Sequence, residues 1–180
     1  VLKAKKMQKT VKYTIFKTKW GYFGLAAADK GLLRSCLPLA EQEKAKSQLL
    51  RNLQNCRYDK HLFKAIQKQI TAYFEGDCIN FSAGFPIVLS GFSSFAGLVL
   101  TACRGIKFGQ IITYGQLAEL AGRPGAARAV GGVMAQNPLP LIIPCHRVVC
   151  ANGTLGGFSA MGGVKLKKRM LKLEGANLLV

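Results

Sequence analysis

Thr113-Tyr114-Gly115-Gln116-Leu117-Ala118-Glu119-Leu120-Ala121, then Gly122-Arg123-Pro124-Gly125, then Ala126-Ala127-Arg128-Ala129-Val130-Gly131-Gly132-Val133-Met134-Ala135, is the stretch on which the fold turns. A threonine followed three residues later by glutamine has the form of a capping box, in which each side chain accepts the other's free backbone N–H. A helix through Leu117, Ala118, Leu120 and Ala121 is expected to start there. Gly122 to Gly125 ends it, and a second helix is expected from Ala126 to Ala135, stopping before Asn137-Pro138. Two short helices around a glycine-containing break predict a helix-turn-helix. In the second helix small residues dominate and Arg128 is the only charge. That low relief suits close approach to a partner's backbone. A tightly packed Ala/Gly core helix would read the same way, and propensity does not separate the two.

Nine residues beyond that helix lies Pro144-Cys145-His146-Arg147-Val148, directly after the apolar run Leu139-Pro140-Leu141-Ile142-Ile143. The nucleophile is the thiolate, so a cysteine in apolar surroundings needs a base, a helix dipole or a cation to react. The adjacent imidazole and guanidinium are candidates for that role. Free cysteine is also among the most buried residue types, so by itself the Cys-His pair fits packing as well as catalysis. Cys150, beyond Arg147-Val148-Val149, is not expected to face the same pocket. Asn152-Gly153 and Gly156-Gly157 flank a turn-rich loop, Phe158-Ser159 follow, and a basic helix is expected from about Val164 to Leu173, ending at Glu174-Gly175. Beyond residue 78 the only acids are Glu119 and Glu174, so a carboxylate orienting His146 from this half would be one of those two.

Working towards the N-terminus, Ser94 opens a helical pattern with Phe95, Leu98, Val99, Ala102 and Cys103 on one face. Residues 77–93 read as a linker with a short extended piece. Leu62, Phe63, Ile66, Ile70, Tyr73 and Phe74 recur at helical spacing after Asp59, a candidate N-cap, with Gly76 as the stop. Leu49, Leu50 and Leu53 suggest a further helix. Val11, Tyr13 and Ile15 alternate with polar residues, Tyr22 to Ala27 follow, and Asp29-Lys30-Gly31 turns into Leu32 to Leu37, a short antiparallel meander. The chain is therefore expected to be α+β: a small N-terminal antiparallel sheet with helices over 1–90, carrying no catalytic signature of its own, and a mainly helical domain with the helix-turn-helix over 91–180. Residues 1–6 read as a basic arm or an appended tag.

Lys and Arg number 26 against 8 acids, a net charge of +18 over 180 residues. The excess is spread, with 16 basic and 6 acidic residues over 1–77 and 10 and 2 over 78–180. A polyanion, nucleic acid before others, is the partner such a balance suggests, although a solvated basic surface is the bland reading. The six cysteines show no C-x-x-C and no disulfide-scaffold spacing, which points to a reducing, intracellular compartment. With only His61 and His146 available, no zinc-ligand pattern forms and no metal is expected. No secretory signal and no membrane span are expected.

Several blocks in order, Phe-Gly-x-x-x-x-Tyr at 108–114, Gly-x-x-x-Ala-Ala-Arg-Ala-Val-Gly at 122–131, Asn137-Pro138, Ile-Pro-Cys-His-Arg-Val at 143–148, Gly-Gly-Phe-Ser at 156–159 and Leu-Glu-Gly at 173–175, resemble the O6-alkylguanine-DNA alkyltransferases. The resemblance runs from Phe95 to about Gly175. It implies that Cys145 accepts an alkyl group from guanine O6 in one displacement, that His146 takes the thiol proton through a water, and that Glu174 orients the imidazole. Tyr114 would donate towards N3 of the flipped base and Asn137 would brace the turn before the active site. On the DNA side it implies Arg128 entering the base stack, Ala126, Ala127, Ala129 and Gly131 lying against the minor groove, and Thr113, Gln116 and Arg123 contributing contacts. Met134, Pro140, Val148, Gly156, Gly157, Phe158 and Ser159 would line the substrate pocket, with the Ser159 N–H facing O6 and the carbonyls of Cys145 and Val148 facing the exocyclic amine. The partner implied is double-stranded DNA containing O6-alkylguanine, with no cofactor and no membrane. The protein would be a monomer in solution, with cooperative assembly on DNA an open alternative, and would sit in the cytoplasm of a prokaryote or the nucleus of a eukaryote. Two features depart from the pattern: phenylalanine at 158, where tyrosine is frequent, and a segment from Phe158 to Glu174 about two residues longer than in close relatives. A binding module of the alkyltransferase-like kind would lack Cys145, and a helix-turn-helix regulator would show more base-reading side chains than Arg128.

Overall fold

The computed structural model describes residues 10–81 and 84–176; residues 1–6, read above as an arm or tag, lie outside them. β1 (Val11–Thr18), β2 (Gly21–Ala28) and β3 (Gly31–Leu39) form the expected antiparallel meander. Both faces of the central strand are covered, so β2 reads as an almost continuous apolar run. Phe23, Leu25 and Ala27 join the main core on one face, while Ala26 packs on the other with Val11, Ile15, Cys36, Ala45 and Leu49 beneath helix α1 (Gln42–Leu50).

The sheet is mixed, which corrects the purely antiparallel expectation. A fourth strand, β4 (Cys56–Tyr58), pairs parallel to β1 in the order β3-β2-β1-β4. Three residues, two of them exposed and polar-tipped, give no alternation to read. Two helix ends also differ. Asn52 takes a positive φ of 61° just past α1, so Leu53 falls outside that helix. Asp59 accepts the backbone N–H of His61 at 2.9 Å and caps the turn ahead of α2 (Lys64–Glu75), not the helix itself. Gly76 ends α2 in the left-handed conformation as expected.

The 77–93 segment contains the predicted extended piece: Ile87 bridges to Leu32, with Leu32 N–H on the Pro86 carbonyl at 3.0 Å and Val88 N–H on that of Leu32 at 2.8 Å. Helix α3 (Ser94–Arg104) follows, but its buried face is Ala96, Val99, Leu100 and Cys103, with Leu98 turned to solvent and Phe95 half-buried. After β5 (Ile112–Thr113) come α4 (Tyr114–Leu120) and α5 (Ala127–Ala135), packed on each other and on α3. The capping box is present in both directions: Thr113 Oγ1 accepts the Gln116 N–H at 3.1 Å, and Gln116 Oε1 accepts the Thr113 N–H at 2.7 Å. A 3-10 turn (Cys145–Arg147) leads into β6 (Val148–Val149), which pairs parallel to β5, and α6 (Gly163–Leu173) closes the described chain. One apolar core runs through both halves, from Phe23 and Phe74 to Leu117, Ile142 and Met170. Among the described residues no helix is long and apolar enough to cross a membrane.

Candidate active site

The residues before Cys145 form a strained, braced turn. Leu141 is buried with φ 77°, a left-handed conformation that disfavours a branched side chain. Asn137 holds it from both sides, its Oδ1 accepting the Leu139 N–H at 3.0 Å and its Nδ2 donating to the Ile143 carbonyl at 2.8 Å. The N-terminal sheet adds a clamp, with Ser35 Oγ donating to the Pro140 carbonyl at 2.8 Å and Ser35 N–H to that of Pro138 at 3.0 Å. Cys145 is thereby fixed at the start of the 3-10 turn, buried at the junction of two cavities.

Burial pushes the Cys145 thiol up; the Asn137 side chain, the charge of Lys167 and the backbone N–H groups of Cys145 and His146 pull the other way without cancelling it. The resting group is a thiol, so reaction requires a base at the moment of attack. His146 is fully buried, and its Nε2 lies 2.7 Å from Glu174 Oε1. A carboxylate only accepts, so the ring proton sits on Nε2 and Nδ1 carries a lone pair. That Nδ1 has no hydrogen-bond partner among the described residues. Burial lowers the pKa of His146, Glu174 raises it, and Arg147 and Lys167 lower it; the net displacement is downward, leaving a neutral imidazole able to take a proton near pH 7.

Glu174, not Glu119, is the orienting carboxylate; Glu119 is exposed on α4. Glu174 caps α6 and is buried. Besides His146 it accepts Arg147 Nη2 at 2.9 Å and Tyr73 Oη at 2.8 Å on Oε1, and Arg147 Nε at 2.9 Å and the Gly109 N–H at 3.1 Å on Oε2. Burial alone would raise this carboxyl, but the hydrogen bonds and charges of His146 and Arg147 outweigh it and hold it at about 2. Arg147 therefore belongs to Glu174 and to the Ile106 carbonyl, at 2.5 Å, and does not serve the thiol as the sequence suggested.

The cation that acts on the thiol is Lys167, which the sequence hid inside a helix read only as basic. Its Nζ is buried and donates to the carbonyls of Val148 at 2.6 Å and Leu155 at 2.5 Å, with Gly157 at 3.5 Å, and lies 5.8 Å from the centre of the Tyr114 ring. Burial lowers its pKa, against an opposing pull from Cys145, Cys150 and Cys103. Its place was legible in spacing: Lys167, Met170, Leu171 and Glu174 follow i, i+3, i+4, i+7, the buried stripe of α6.

A cavity of about 790 Å³ brings together most of the expected pocket and part of the expected DNA surface: Tyr114, Ala127, Arg128, Gly131, Met134, Cys145, Gly156, Gly157, Phe158 and Ser159, with Gly115, Ala135, Cys150 and Ala151 besides. Cys150 thus faces the same cavity as Cys145, which corrects the sequence reading; the tight parallel pairing of β5 with β6 turns it back towards Tyr114. Gly156, at φ 67°, permits this closure, since a Cβ there would come 3.0 Å from Cys150 Sγ and 3.2 Å from the Tyr114 ring. Pro140 lines the neighbouring cavity of about 590 Å³, which Cys145, Phe158 and Ser159 share with Arg34, Ser35 and Asn52 of the N-terminal half. Val148 is buried below, lining neither, and its carbonyl already accepts from Lys167. Ala126 is half-buried, whereas Arg123, Arg128 and Ala129 are exposed. Thr113 and Gln116 spend their side-chain oxygens on the α4 cap and line a third hollow with Ile111 and Asn152. Among the described residues no cluster of three or more His, Cys, Asp or Glu could hold a metal ion.

A braced thiol on a 3-10 turn, backed by a buried imidazole and carboxylate and opening beside a pair of short helices, defines a cysteine-centred class of protein. Residues 94–176 match the family model for the 6-O-methylguanine DNA methyltransferase, DNA binding domain. The chain is 42% identical to the methylated-DNA–protein-cysteine methyltransferase of Metallosphaera sedula over 118 residues, 66% of this chain and 71% of that one. It is 56% identical to the protein of that name from Cricetulus griseus over 70 residues, 39% of this chain, and the match spans only 33% of that relative's length. Mycobacterium tuberculosis OGT, solved in complex with DNA, superposes with a TM-score of 0.75 at 31% identity, covering 91% of this chain and 92% of that one. The chain belongs to the methylated-DNA–protein-cysteine methyltransferase family.

Proposed function

We propose that this protein repairs O6-alkylguanine in duplex DNA by taking the alkyl group irreversibly onto Cys145, once per molecule. The observation that carries this reading is the Cys145, His146 and Glu174 set, in which a protonated thiol stands next to a neutral imidazole with a bare Nδ1. His146 Nδ1 receives the thiol proton through a water and Glu174 stabilises the imidazolium that results. The sulfur then bonds to the alkyl carbon while the carbon–O6 bond breaks and its electron pair leaves with guanine. Tyr114 donates towards N3 and the Ser159 N–H towards O6, drawing off charge as it develops. Asn137 and Lys167 support the thiolate as it forms. The product is a thioether with no group positioned to displace it, which ends the reaction. The direct test is a duplex carrying labelled O6-methylguanine: label must move to protein, and peptide mapping must find it on Cys145. Intact lesions after full binding would refute the reading.

The target atom is inaccessible in a stacked duplex, so the base must rotate out at a cost of a few kcal/mol. Arg128 lines the thiol's own cavity and is the only charge on α5, which supports reading it as the side chain that fills the vacated space. Ala126, Ala127, Ala129 and Gly131 let that helix approach the minor groove closely, with Thr113, Gln116 and Arg123 on the flanking backbone. Arg128→Ala is expected to slow repair in duplex DNA by roughly tenfold or more, equivalent to about 1.4 kcal/mol, while transfer from free O6-benzylguanine stays within about twofold. Equal losses on both substrates would make Arg128 a fold residue. Binding itself should rest on phosphates. Given the charge of +18, affinity should fall roughly 10³-fold or more between 50 and 200 mM salt and vary little with sequence. A flat salt response in a filter-binding titration would contradict that.

We further assign 1–90 as a supporting domain and 91–180 as the DNA-binding and transfer domain. We read the protein as intracellular and a monomer in solution, with assembly on DNA left open, and as needing no cofactor, since every proton and electron pair in the step has a destination among the groups named.

A further inference from the structure

We infer that Tyr73, on helix α2 of the N-terminal half, is a positioning residue for the reacting thiol, acting through Glu174 to keep His146 a neutral base. The inference deepens the reading above and rests on it for the identity of the reaction, though not for the effect on His146. An ionised carboxylate offers about four lone-pair sites. Arg147 Nε and Nη2, the Gly109 N–H and His146 Nε2 already supply four donors. Tyr73 is a fifth, and its hydroxyl falls at 2.8 Å on Oε1, the oxygen that faces the imidazole. Glu174 does not require it for satisfaction. A buried tyrosine needs a partner for its own hydroxyl, yet a phenylalanine would fill this place without that need. Tyr73 is completely buried, its ring edge-on to Phe74 at 5.0 Å and to Phe108 at 5.9 Å, so its direction is fixed by packing.

The extra donor draws negative charge away from Oε1. A carboxylate oxygen so engaged stabilises an imidazolium less, and His146 remains unprotonated to lower pH. The other groups bearing on His146 are Arg147 beside it and Lys167 from α6, both cations acting in the same direction. On Tyr73 itself burial and Glu174 raise the phenol's pKa well above its usual range, so it holds its proton and serves only as donor. The N-terminal half, which showed no catalytic signature in sequence, thereby sets the pH range over which Cys145 can be deprotonated.

The two histidines make the test direct, because exposed His61 is an internal reference for His146. In protein labelled at histidine Cε1, without DNA, Tyr73→Phe should move the His146 titration up by about half to one pH unit and leave His61 unchanged. Replacing Tyr73 by 3-fluorotyrosine, a stronger donor of the same shape, should move it down, a reversal that a purely structural role would not produce. Methyl transfer by Y73F should then fall relative to wild type at the acid end of the pH profile, by as much as about threefold to tenfold where the pH lies below the His146 titration, and much less at pH 8. His146 signals that coincide in wild type and both folded variants across the titration overturn the inference. Titrations that shift as expected in a protein that accepts no methyl group overturn the proposed function and leave the role of Tyr73 standing.

Discussion

Glu174→Gln is expected to lower stability by about 3–5 kcal/mol, because it leaves the Arg147 guanidinium buried without a counter-charge. Arg147 is 2% exposed, and both of its contacts to Glu174 are 2.9 Å long. Against a typical total of about 5–15 kcal/mol this is a large fraction, and the thermal midpoint should drop by roughly 10 °C. The same pair fixes an acid limit. The carboxyl sits at about 2 when folded and about 4.3 when unfolded, so its contribution is complete above the unfolded value and disappears as pH falls through the folded one. Wild-type stability should therefore decline between about pH 4 and pH 2, and E174Q should decline less over that window. Thermal melts at stepped pH measure both effects; parallel curves for the two proteins would show that the pair contributes little.

Cys145→Ser carries the other large effect. A hydroxyl in this apolar turn is a far weaker nucleophile than a thiol and His146 cannot ionise it, so methyl transfer should fall below detection. The substitution changes little in volume, and Asn137 still braces the turn through Leu139 and Ile143. Affinity for lesion-containing duplex should stay within about threefold, as expected when DNA is held mainly by phosphate contacts remote from the thiol. Residual transfer in C145S would move the nucleophile elsewhere, with Cys150 first in line because it faces the same cavity.

What the sequence made legible was local. The Thr113 to Gln116 capping box, the left-handed stop at Gly76 and the meander through Gly31 are each written in a few adjacent residues, and each is present. The Asn137, Cys145, His146 and Glu174 blocks were recognisable because their order is dense with special residue types. What stayed hidden depends on distant partners. Tyr73 and Glu174 are 101 positions apart, and Tyr73 reads as one more apolar residue at helical spacing. Lys167 reads as part of a basic helix until its position on the buried stripe is noticed. β4 is too short to alternate, and the turn of Cys150 into the thiol's cavity follows from the pairing of β5 with β6, which no local pattern announces. The guanidinium of Arg147 reads in the sequence as a candidate to activate Cys145, whereas folding gives it to Glu174.

The most direct measurement is the mass of the intact protein after incubation with an excess of duplex containing O6-methylguanine, followed by peptide mapping of all six cysteines. The account predicts that every active molecule gains the mass of one methylene, the net of a methyl gained and a proton lost, that the modification lies on Cys145 alone, and that repair stops when the protein is consumed. Continued repair beyond one lesion per molecule, or modification on Cys150 or Cys103 with Cys145 untouched, would contradict it.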